Sequence, residues 1–422
     1  MGAGRRFGDW AAWRAESLLW EGSAAALAGA GPTMGAACAA LDDCVESHGW
    51  QEVAAAAGSV FCCIVCSLLE GGWAPREVVH QVRRHRGVHH ADLVAAAMGA
   101  RETWGLAGDA PPPEAWAVQL AELGVDRCRQ GPDWLLDWLA ERAPRLGAAW
   151  PVVLEALGVL RRLPPIEPLL PRPSEWASLS SPAPDRSADQ AVLAKVRALL
   201  AKAESTNLAA EADALMAKAQ ELMPRSPAAA ARAPAHGVDG GGPAAVRVLV
   251  EEPWAATKAQ LLGAIAGAHG VRSAWCHDLA MTALAGARPD VDAVETLFTS
   301  LLVQATRGML EHDGLAAGGG RAMTRSFRQS FLAAFAEGIG ERVAVEAPPV
   351  GRRSAEDDPG DLLPPAGAGR RREADEAGNR QFPHLGPPAV TIANQAGWRA
   401  GRAAAEAASL DSDLVVLEAA RA

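Results

Sequence analysis

The sequence predicts a mainly α-helical protein that carries a small α+β domain near its C-terminus. Three observations support this fold class. Residues 1–163 have apolar residues at helical spacing and no convincing strand, and residues 189–223 show the apolar stripes of two short helices joined by a turn. Residues 244–345 instead combine alternating valines with two strongly periodic helices, an order that favours an α+β domain with a short antiparallel sheet. With 422 residues, the chain is long enough for two or three domains of roughly 100–200 residues each.

Helices account for the predicted N-terminal domain, residues 1–163. The apolar run Val53–Leu69 just reaches the ~17 residues that a bilayer span needs, but its first half is mostly alanine, so we predict a buried helix. Another helix is predicted to begin at Pro75, because proline is favoured in the first turn of a helix. A third has Trp134 and Trp138 on one apolar face, which is typical of a core helix.

Three stretches lack the apolar periodicity of folded elements. Residues 164–188 are dense in proline and serine, and residues 224–243 in alanine, glycine and proline, so both are predicted to be linkers. Residues 346–388 combine proline, glycine and clusters of both charges, which predicts a disordered insert. Residues 389–422 are expected to return to ordered structure and to pack on the α+β domain, with a strand followed by a helix over Gln395–Ala408.

The α+β domain is predicted from the order of its elements. Val246, Val248 and Val250 alternate with other residues, as in a half-buried strand. The elements predicted after this strand are a helix over Trp254–Ala268, strands over Val271–Cys276 and Met281–Leu284, a helix that begins at Pro289, and a helix with Phe327, Phe331, Phe335 and Ile339 at i+4 spacing.

Charge and cysteine content restrict the function. The net charge of −10 argues against wholesale binding of nucleic acid or of an anionic membrane, because both require a cationic surface. The seven cysteines are odd in number and unevenly spread, unlike a disulfide framework, and the first residues lack the apolar run of a signal peptide. We therefore expect reduced thiols and a cytoplasmic protein.

The central segment, residues 189–223, is predicted to form a helical hairpin. Its turn and second cap are expected at Ser205–Asn207. The side chains predicted to face inward are Val192, Val196, Leu199 and Ala203, with Leu193 and Leu200 beside them, on the first helix, and Leu208, Ala212, Leu215, Ala219 and Leu222 on the second.

Lysine is rare in this arginine-rich chain: Lys195, Lys202 and Lys218 lie in the hairpin, and Lys258 is the fourth. At 100° per residue, the hairpin lysines and Glu211 fall on one edge of the seam between the two helices. Lys202 is then level with Glu211, which predicts an ion pair. Lys195 is level with Lys218, a like-charge pair that calls for an anion or a carboxylate between them.

The run KVRALLAKAESTNLAAEADALMAKAQELM, residues 195–223, resembles the family catalogued as domain of unknown function 2786, known from bacteria and phages. The residues that carry the resemblance are Lys195, Leu199, Leu200, Ser205, Asn207, Glu211, Lys218, Ala219, Leu222 and Met223. Members usually carry a second domain downstream, and residues 246–343 are similar to it through Trp254, a turn at Leu284–Gly286 and the helix around Phe327. The resemblance implies a helical hairpin and supplies no activity, cofactor or ligand.

A second basic feature is the sequence HQVRRHRGVHHAD, which contains Arg83, Arg84 and Arg86. Its His85 and His89 have the i, i+4 spacing that can place two imidazoles on one metal, but the neighbouring arginines would repel a cation. A solvated basic face and a phosphate- or partner-binding face are the alternatives. The CxxC at Cys63–Cys66 lacks the βαβ setting of a redox site, so Cys62, Cys63 and Cys66 are interpreted as small apolar core residues.

Two classes of function fit the sequence. The first is a non-enzymatic binding or adaptor protein that holds nucleic acid or an acidic protein surface, without a cofactor or a metal and without contact to a membrane. The residues predicted to contact that partner are Lys195, Lys202, Asn207, Glu211 and Lys218 of the hairpin and Arg83, Arg84 and Arg86 of the basic helix. The alternative is an enzyme with its site in the α+β domain, using His269, His277 and Asp278; its catalytic residues are otherwise undefined.

Overall fold

The computed structural model describes residues 7–108, 110–125, 131, 133–146, 149–179, 187–206, 208–223, 243–313, 320–346 and 394–410. The chain forms two compact units, Met1–Ala188 and Asp189–Ala422. The predicted fold class is confirmed, since the described residues are mostly helical and include one three-stranded antiparallel sheet in the C-terminal region.

In its described residues, the N-terminal unit consists of α-helices and two short 3-10 helices. The α-helices are α1 (Phe7–Ala28), α2 (Gly31–His48), α3 (Trp50–Glu70), α4 (Pro75–Arg86), α5 (Val88–Gly99), α6 (Glu114–Glu122), α7 (Trp134–Leu146) and α8 (Ala149–Arg162). The 3-10 helices are Arg101–Trp104 and Pro173–Ser178.

Helix α3 forms the centre of the N-terminal unit. It contacts α1, α2, α5, α7 and α8, and its Val53, Phe61 and Val65 are buried. Among the described helices, α3 alone is long and apolar enough to cross a membrane by length and composition, and 56% of its apolar window is buried inside the unit. The predicted helix over this run is therefore present and packs against five other α-helices.

The proline-rich segment after α8 lies against the N-terminal unit. Residues 163–172 form neither helix nor strand, as the missing amide hydrogens of proline favour, and the indoles of buried tryptophans donate hydrogen bonds to proline carbonyls. Trp73 Nε1 lies 2.8 Å from the carbonyl oxygen of Pro164, and Trp116 Nε1 lies 3.0 Å from that of Pro171. The first part of the predicted linker 164–188 is thus packed structure; residues 180–186 lie outside the described part of the chain.

The C-terminal unit contains helices α9 (Ser187–Ser205, which begins just before the unit) and α10 (Ala209–Leu222), strand β1 (Pro243–Leu249), helix α11 (Ala255–Ala268), strands β2 (Arg272–Cys276) and β3 (Met281–Ala287), and helices α12 (Arg288–Asp313), α13 (Gly320–Glu346) and α14 (Gln395–Ala407). The sheet order is β1-β3-β2, and both pairings are antiparallel.

Strand β3 is longer than the sequence predicted. The prediction ended it at Leu284 and placed a turn at Leu284–Gly286, which is wrong. Leu284 pairs with Val246 of β1 and with Ser273 of β2, and Gly286 pairs with Ala244. Hydrogen bonding to a neighbouring strand keeps this small-residue segment extended, although its own residues have weak strand propensity.

The hairpin α9–α10 and the downstream elements share one hydrophobic core. Val196, Leu200 and Met216 of the hairpin belong to the same buried cluster as residues of α11, α12 and α13. The structure therefore joins into one unit the segments 189–223 and 244–345, which the sequence suggested as separate domains.

Helix α14 crosses α13 at very short range. A Cβ atom at Gly397 would lie 2.4 Å from the carbonyl oxygen of Phe327, and one at Gly401 would lie 2.1 Å from that of Phe331. Only glycine permits this approach. The helix predicted over Gln395–Ala408 is confirmed, whereas the strand predicted before it, most of the predicted linker 224–243 and nearly all of the predicted insert 346–388 lie outside the described residues.

Candidate functional site

The turn of the α9–α10 hairpin is held by side chains that the sequence placed there. Thr206 Oγ1 donates a hydrogen bond to Glu211 Oε2 (2.6 Å) and accepts one from the backbone amide of Leu208 (3.3 Å). Ser205 Oγ donates to the carbonyl oxygen of Lys202 at 2.9 Å. Asn207, which was predicted to belong to the site, lies outside the described residues.

The inward face of α9 matches the predicted one in part, since Val196 and Ala203 are buried as predicted but Val192 is only half-buried. Leu193, Val196 and Leu200 are buried, whereas Leu199 is only half-buried. On the second helix, Leu208 was predicted to face inward and is 67% exposed, because it immediately precedes α10 rather than lying in it. The stripe on α9 is displaced because two charged side chains on that helix are also buried.

The first of these charged side chains is Glu204, at the end of α9. Its Oε2 lies 2.5 Å from Lys258 Nζ of α11, and the side chains are only 1% and 3% exposed. Thr306 Oγ1 of α12 donates to the other carboxylate oxygen at 3.1 Å, and Lys258 also donates to the carbonyl oxygen of Glu251 at 3.2 Å. Both charges are thus paired and hydrogen-bonded, as buried charges must be.

Arg197 is the second buried charge of α9. Its guanidinium lies 3.8 Å from Glu295 Oε1 of α12 and donates to Thr299 Oγ1 at 3.0 Å. Gln190 Nε2 donates to the other oxygen of Glu295 at 2.9 Å. From α13, Arg328 Nη1 donates to the carbonyl oxygen of Glu204 at 2.7 Å, where the end of a helix leaves carbonyl groups without an internal partner.

We call Arg197, Glu204, Lys258, Glu295 and Arg328 the buried polar junction. It connects one side of the hairpin to α11, α12 and α13, so this side is an internal contact of the C-terminal unit. Sequence reasoning assigned these five residues no role. The available signals were a lysine outside the hairpin in a lysine-poor chain and two charges next to the inner stripe of α9.

The other side of the hairpin holds the predicted lysines. The predicted pair Lys202–Glu211 is confirmed, with Nζ 3.4 Å from Oε1. The hydrogen bond from Thr206, and then that from Lys202, lowers the pKa of Glu211. Lys218 Nζ lies 2.8 Å from Glu221 Oε2 on its own helix, and this contact lowers the pKa of Glu221.

Lys195 remains exposed and forms no ion pair among the described residues. Since Glu221 supplies a carboxylate to Lys218, the like-charge repulsion predicted between Lys195 and Lys218 is reduced without a bound anion. That the two ammonium groups face each other stays a prediction.

The predicted basic helix is the last turn of α4, which Gly87 joins to α5 with a φ of 91°. We define the basic corner as Arg83, Arg84, His85, Arg86 and His89, all exposed or half-buried.

The carboxylate of Glu155 lies at this corner. Arg86 Nη1 lies 3.4 Å from Glu155 Oε1, and His90 Nε2 lies 2.9 Å from Glu155 Oε2. His85 Nδ1 lies within hydrogen-bonding distance, 2.8 Å, of the carbonyl oxygen of Gln81. Among the described residues, no three His, Cys, Asp or Glu side chains lie close enough together to hold a metal ion.

The cysteines of α3 differ in their surroundings. Cys62 is buried, and burial raises its pKa to about 11, while burial also raises the pKa of the half-buried Cys66. Reactive thiols have a lowered pKa, so neither resembles a thiolate nucleophile. Cys63 is exposed, which corrects its interpretation as a core residue, because it lies on the outer face of α3. The six described cysteines are free; Cys128 lies outside the described residues.

The residues named for an enzymatic site lie on either side of β2. His269 follows α11 and precedes β2, whereas His277 and Asp278 follow β2. Five extended residues separate the two ends of this strand by about 16 Å. The two histidines therefore lie at opposite ends of β2, and a single site formed by all three residues stays a prediction.

Comparison with known proteins identifies one segment of the chain. Residues 191–226 match the family described as protein of unknown function (DUF2786). The matched residues include most of α9 and all of α10, and they cover less than a tenth of the chain. No curated protein and no solved structure matches the chain. The hairpin that contributes Arg197 and Glu204 to the buried polar junction is therefore the part of the chain that is similar to the DUF2786 family.

Proposed function

We propose that this protein is a non-enzymatic binding protein of the cytoplasm that contacts an anionic partner, in the first place nucleic acid, through the basic corner. The observation that carries the proposal is the concentration of Arg83, Arg84, His85, Arg86 and His89 around a single glycine, on a chain whose net charge is −10. A cationic cluster on an acidic protein gives a local site for phosphate contacts rather than an extended cationic surface.

The backbone at the corner offers further hydrogen-bond donors to an anion. Gly87 immediately precedes α5, so the first amide groups of α5 lie beside the last turn of α4. The amide groups of a first helical turn have no partner inside the helix and favour anions. Arg83 and the imidazole of His89 flank this position and can donate to phosphate oxygens.

The test measures binding of the full chain to a labelled DNA duplex and to the corresponding single strand by fluorescence anisotropy. If the corner contacts two or three phosphates, log K should fall with log salt with a slope of about −2 to −3 on the duplex. Arg83→Gln with Arg84→Gln should weaken binding to every sequence alike and reduce that slope by about 1 per lost contact. Arg307→Gln, an exposed arginine of α12, is the matched control.

Two outcomes contradict the nucleic-acid proposal. One is equal binding by the corner variant and by Arg307→Gln. The other is binding to polyglutamate with no binding to either oligonucleotide, which would favour an acidic protein surface as the partner.

A second contact surface is favoured by the exposed side of the hairpin, where Lys195 forms no ion pair among the described residues. If an anion lies between Lys195 and Lys218, an ammonium is needed, and Lys195→Arg should weaken binding although it keeps the charge. Lys218→Gln should also weaken it while leaving stability nearly unchanged. Equal binding of the oligonucleotides at low salt by the wild type and both variants would restrict the contact to the basic corner.

A further inference from the structure

Helix α1 carries an apolar stripe on its solvent side. Trp13 is 55% exposed, and Trp20 and Leu27 are each 44% exposed. These three residues are spaced by seven, so they lie above one another along the helix. Ser17 and Ala24 lie between them, and we call the five residues the α1 seam.

The spacing of the α1 seam is that of a coiled-coil face. Steps of four and three residues alternate from Trp13 to Leu27, which is the heptad pattern that packs against a second helix. In the sequence the pattern begins one step earlier, at Trp10. The opposite face of α1 is already used, since Ala15 and Leu19 are buried in the N-terminal unit.

We propose that the α1 seam is an interface between two copies of this chain, paired through antiparallel α1 helices. In an antiparallel pair the two tryptophans of one seam lie over the two small residues of the other, Trp13 against the partner's Ala24 and Trp20 against the partner's Ser17. The large and small residues thus interdigitate, as the packing of helices requires.

The charges beside the α1 seam favour this orientation. Arg14 and Glu21 are exposed on one flank, each directly after a seam tryptophan. In the antiparallel pair, residues on this flank face each other, so Arg14 lies near the partner's Glu21, and the contact occurs twice by symmetry.

The other flank is complementary as well. This flank contains Glu16, and Arg161 of α8 lies beside it near Ser23. The guanidinium of Arg161 stacks 4.4 Å from the Trp20 ring and donates a hydrogen bond to Ser23 Oγ at 2.6 Å. The antiparallel pair places Glu16 near the partner's Arg161. A parallel pair would instead place Glu16 opposite the partner's Glu21 on both sides, and like charges there disfavour association.

The dimensions of the seam predict a reversible dimer. Helix α1 has 22 residues, a length of about 33 Å, and the apolar part of its exposed surface is a single narrow stripe. Such a contact buries less than the roughly 1,600 Å² of a standard stable interface, so the dissociation constant should be micromolar.

The experiment is sedimentation velocity of the full chain over a concentration series. The wild type should change from monomer to dimer in the micromolar range. Leu27→Ser should raise the dissociation constant at least about tenfold. Leu106→Ser, which removes a leucine that is 59% exposed and lies outside α1, should leave it unchanged. Equal thermal melting of both variants shows that the fold is retained.

Charge reversal tests the orientation. Arg14→Glu alone and Glu21→Arg alone should each weaken the dimer, because each creates two like-charge contacts. An equimolar mixture of the two variants should restore dimers, since each of the two contacts in the mixed dimer then joins a carboxylate to a guanidinium. A wild type that stays monomeric throughout, or a dimer that Leu27→Ser leaves intact, would overturn the proposal. A tighter dimer of Glu21→Arg would indicate the parallel pair and would overturn it equally.

Discussion

Replacing Lys258 with methionine should destabilise the C-terminal unit by about 3–5 kcal/mol. Methionine has nearly the length of lysine but no charge, so the change removes the ammonium and leaves the space filled. Glu204, whose side chain is 1% exposed, then keeps a buried carboxylate with Thr306 as its remaining side-chain hydrogen-bond donor. An unpaired buried charge is the reason for the large expected loss.

The large loss of stability expected for Lys258→Met follows from the burial of the ion pair rather than from its N–O distance alone. Lys202 and Glu211 form an ion pair of similar chemistry, but their side chains are 63% and 39% exposed. Solvent screens an exposed pair, so Lys202→Met should lower the free energy of unfolding far less than Lys258→Met does. In the double variant Lys258→Met/Glu204→Gln the buried charge is gone, and part of the loss should be recovered.

The measurement is native-state hydrogen exchange followed by mass spectrometry on peptides from α9 and α11. It reports the stability of the C-terminal unit separately, which matters because a chain with two units need not unfold in one step. The reasoning is refuted if Lys258→Met costs no more than Lys202→Met, or if Glu204→Gln adds its full cost to that of Lys258→Met.

Three further predictions concern single positions. Leu200 is 1% exposed, so Leu200→Ala should lower the free energy of unfolding by ~2–5 kcal/mol, whereas replacing the half-buried Leu199 with alanine should lower it by clearly less. A larger cost for Leu199→Ala in urea unfolding would show that the apolar stripe of α9 is centred where the sequence predicted it. Gly401→Ala places a methyl group against a backbone carbonyl 2.1 Å away and should lower the melting temperature, whereas Gly267→Ala in α11 meets no atom within 4 Å and should leave it equal or higher. Because burial raises the pKa of Cys62 to about 11, its neutral thiol is the form that the fold favours. Alkylation of Cys62, monitored by peptide mass spectrometry, should therefore be slow at pH 8, and fast labelling at that pH would contradict the burial of the thiol. The contribution of the neutral thiol to the free energy of unfolding should be lost as the pH rises from about 9 towards 11.

Local patterns predicted the elements well because they depend on neighbours in the chain. The helix predicted over Trp254–Ala268 begins one residue later, and the strand predicted over Val271–Cys276 does the same. The ion pair Lys202–Glu211 was also predictable, since it follows from 100° per residue on two helices joined by a short turn. The end of β3 was not, because its last residues are held by partners more than thirty positions earlier.

The sequence was sufficient to predict that this chain is mainly helical, that a hairpin similar to the DUF2786 family lies near its centre, and that Lys202 pairs with Glu211 across that hairpin. These properties follow from periodicity, capping residues and turn residues, which act over a few positions. That Arg197 and Glu204 face inward is seen only in the folded C-terminal unit. A charge can be buried only where its partner is present, and the partners Glu295 and Lys258 come from helices that are distant in sequence. The pattern of the hairpin places Arg197 and Glu204 next to its inner stripe, but it does not contain the partners that allow their burial.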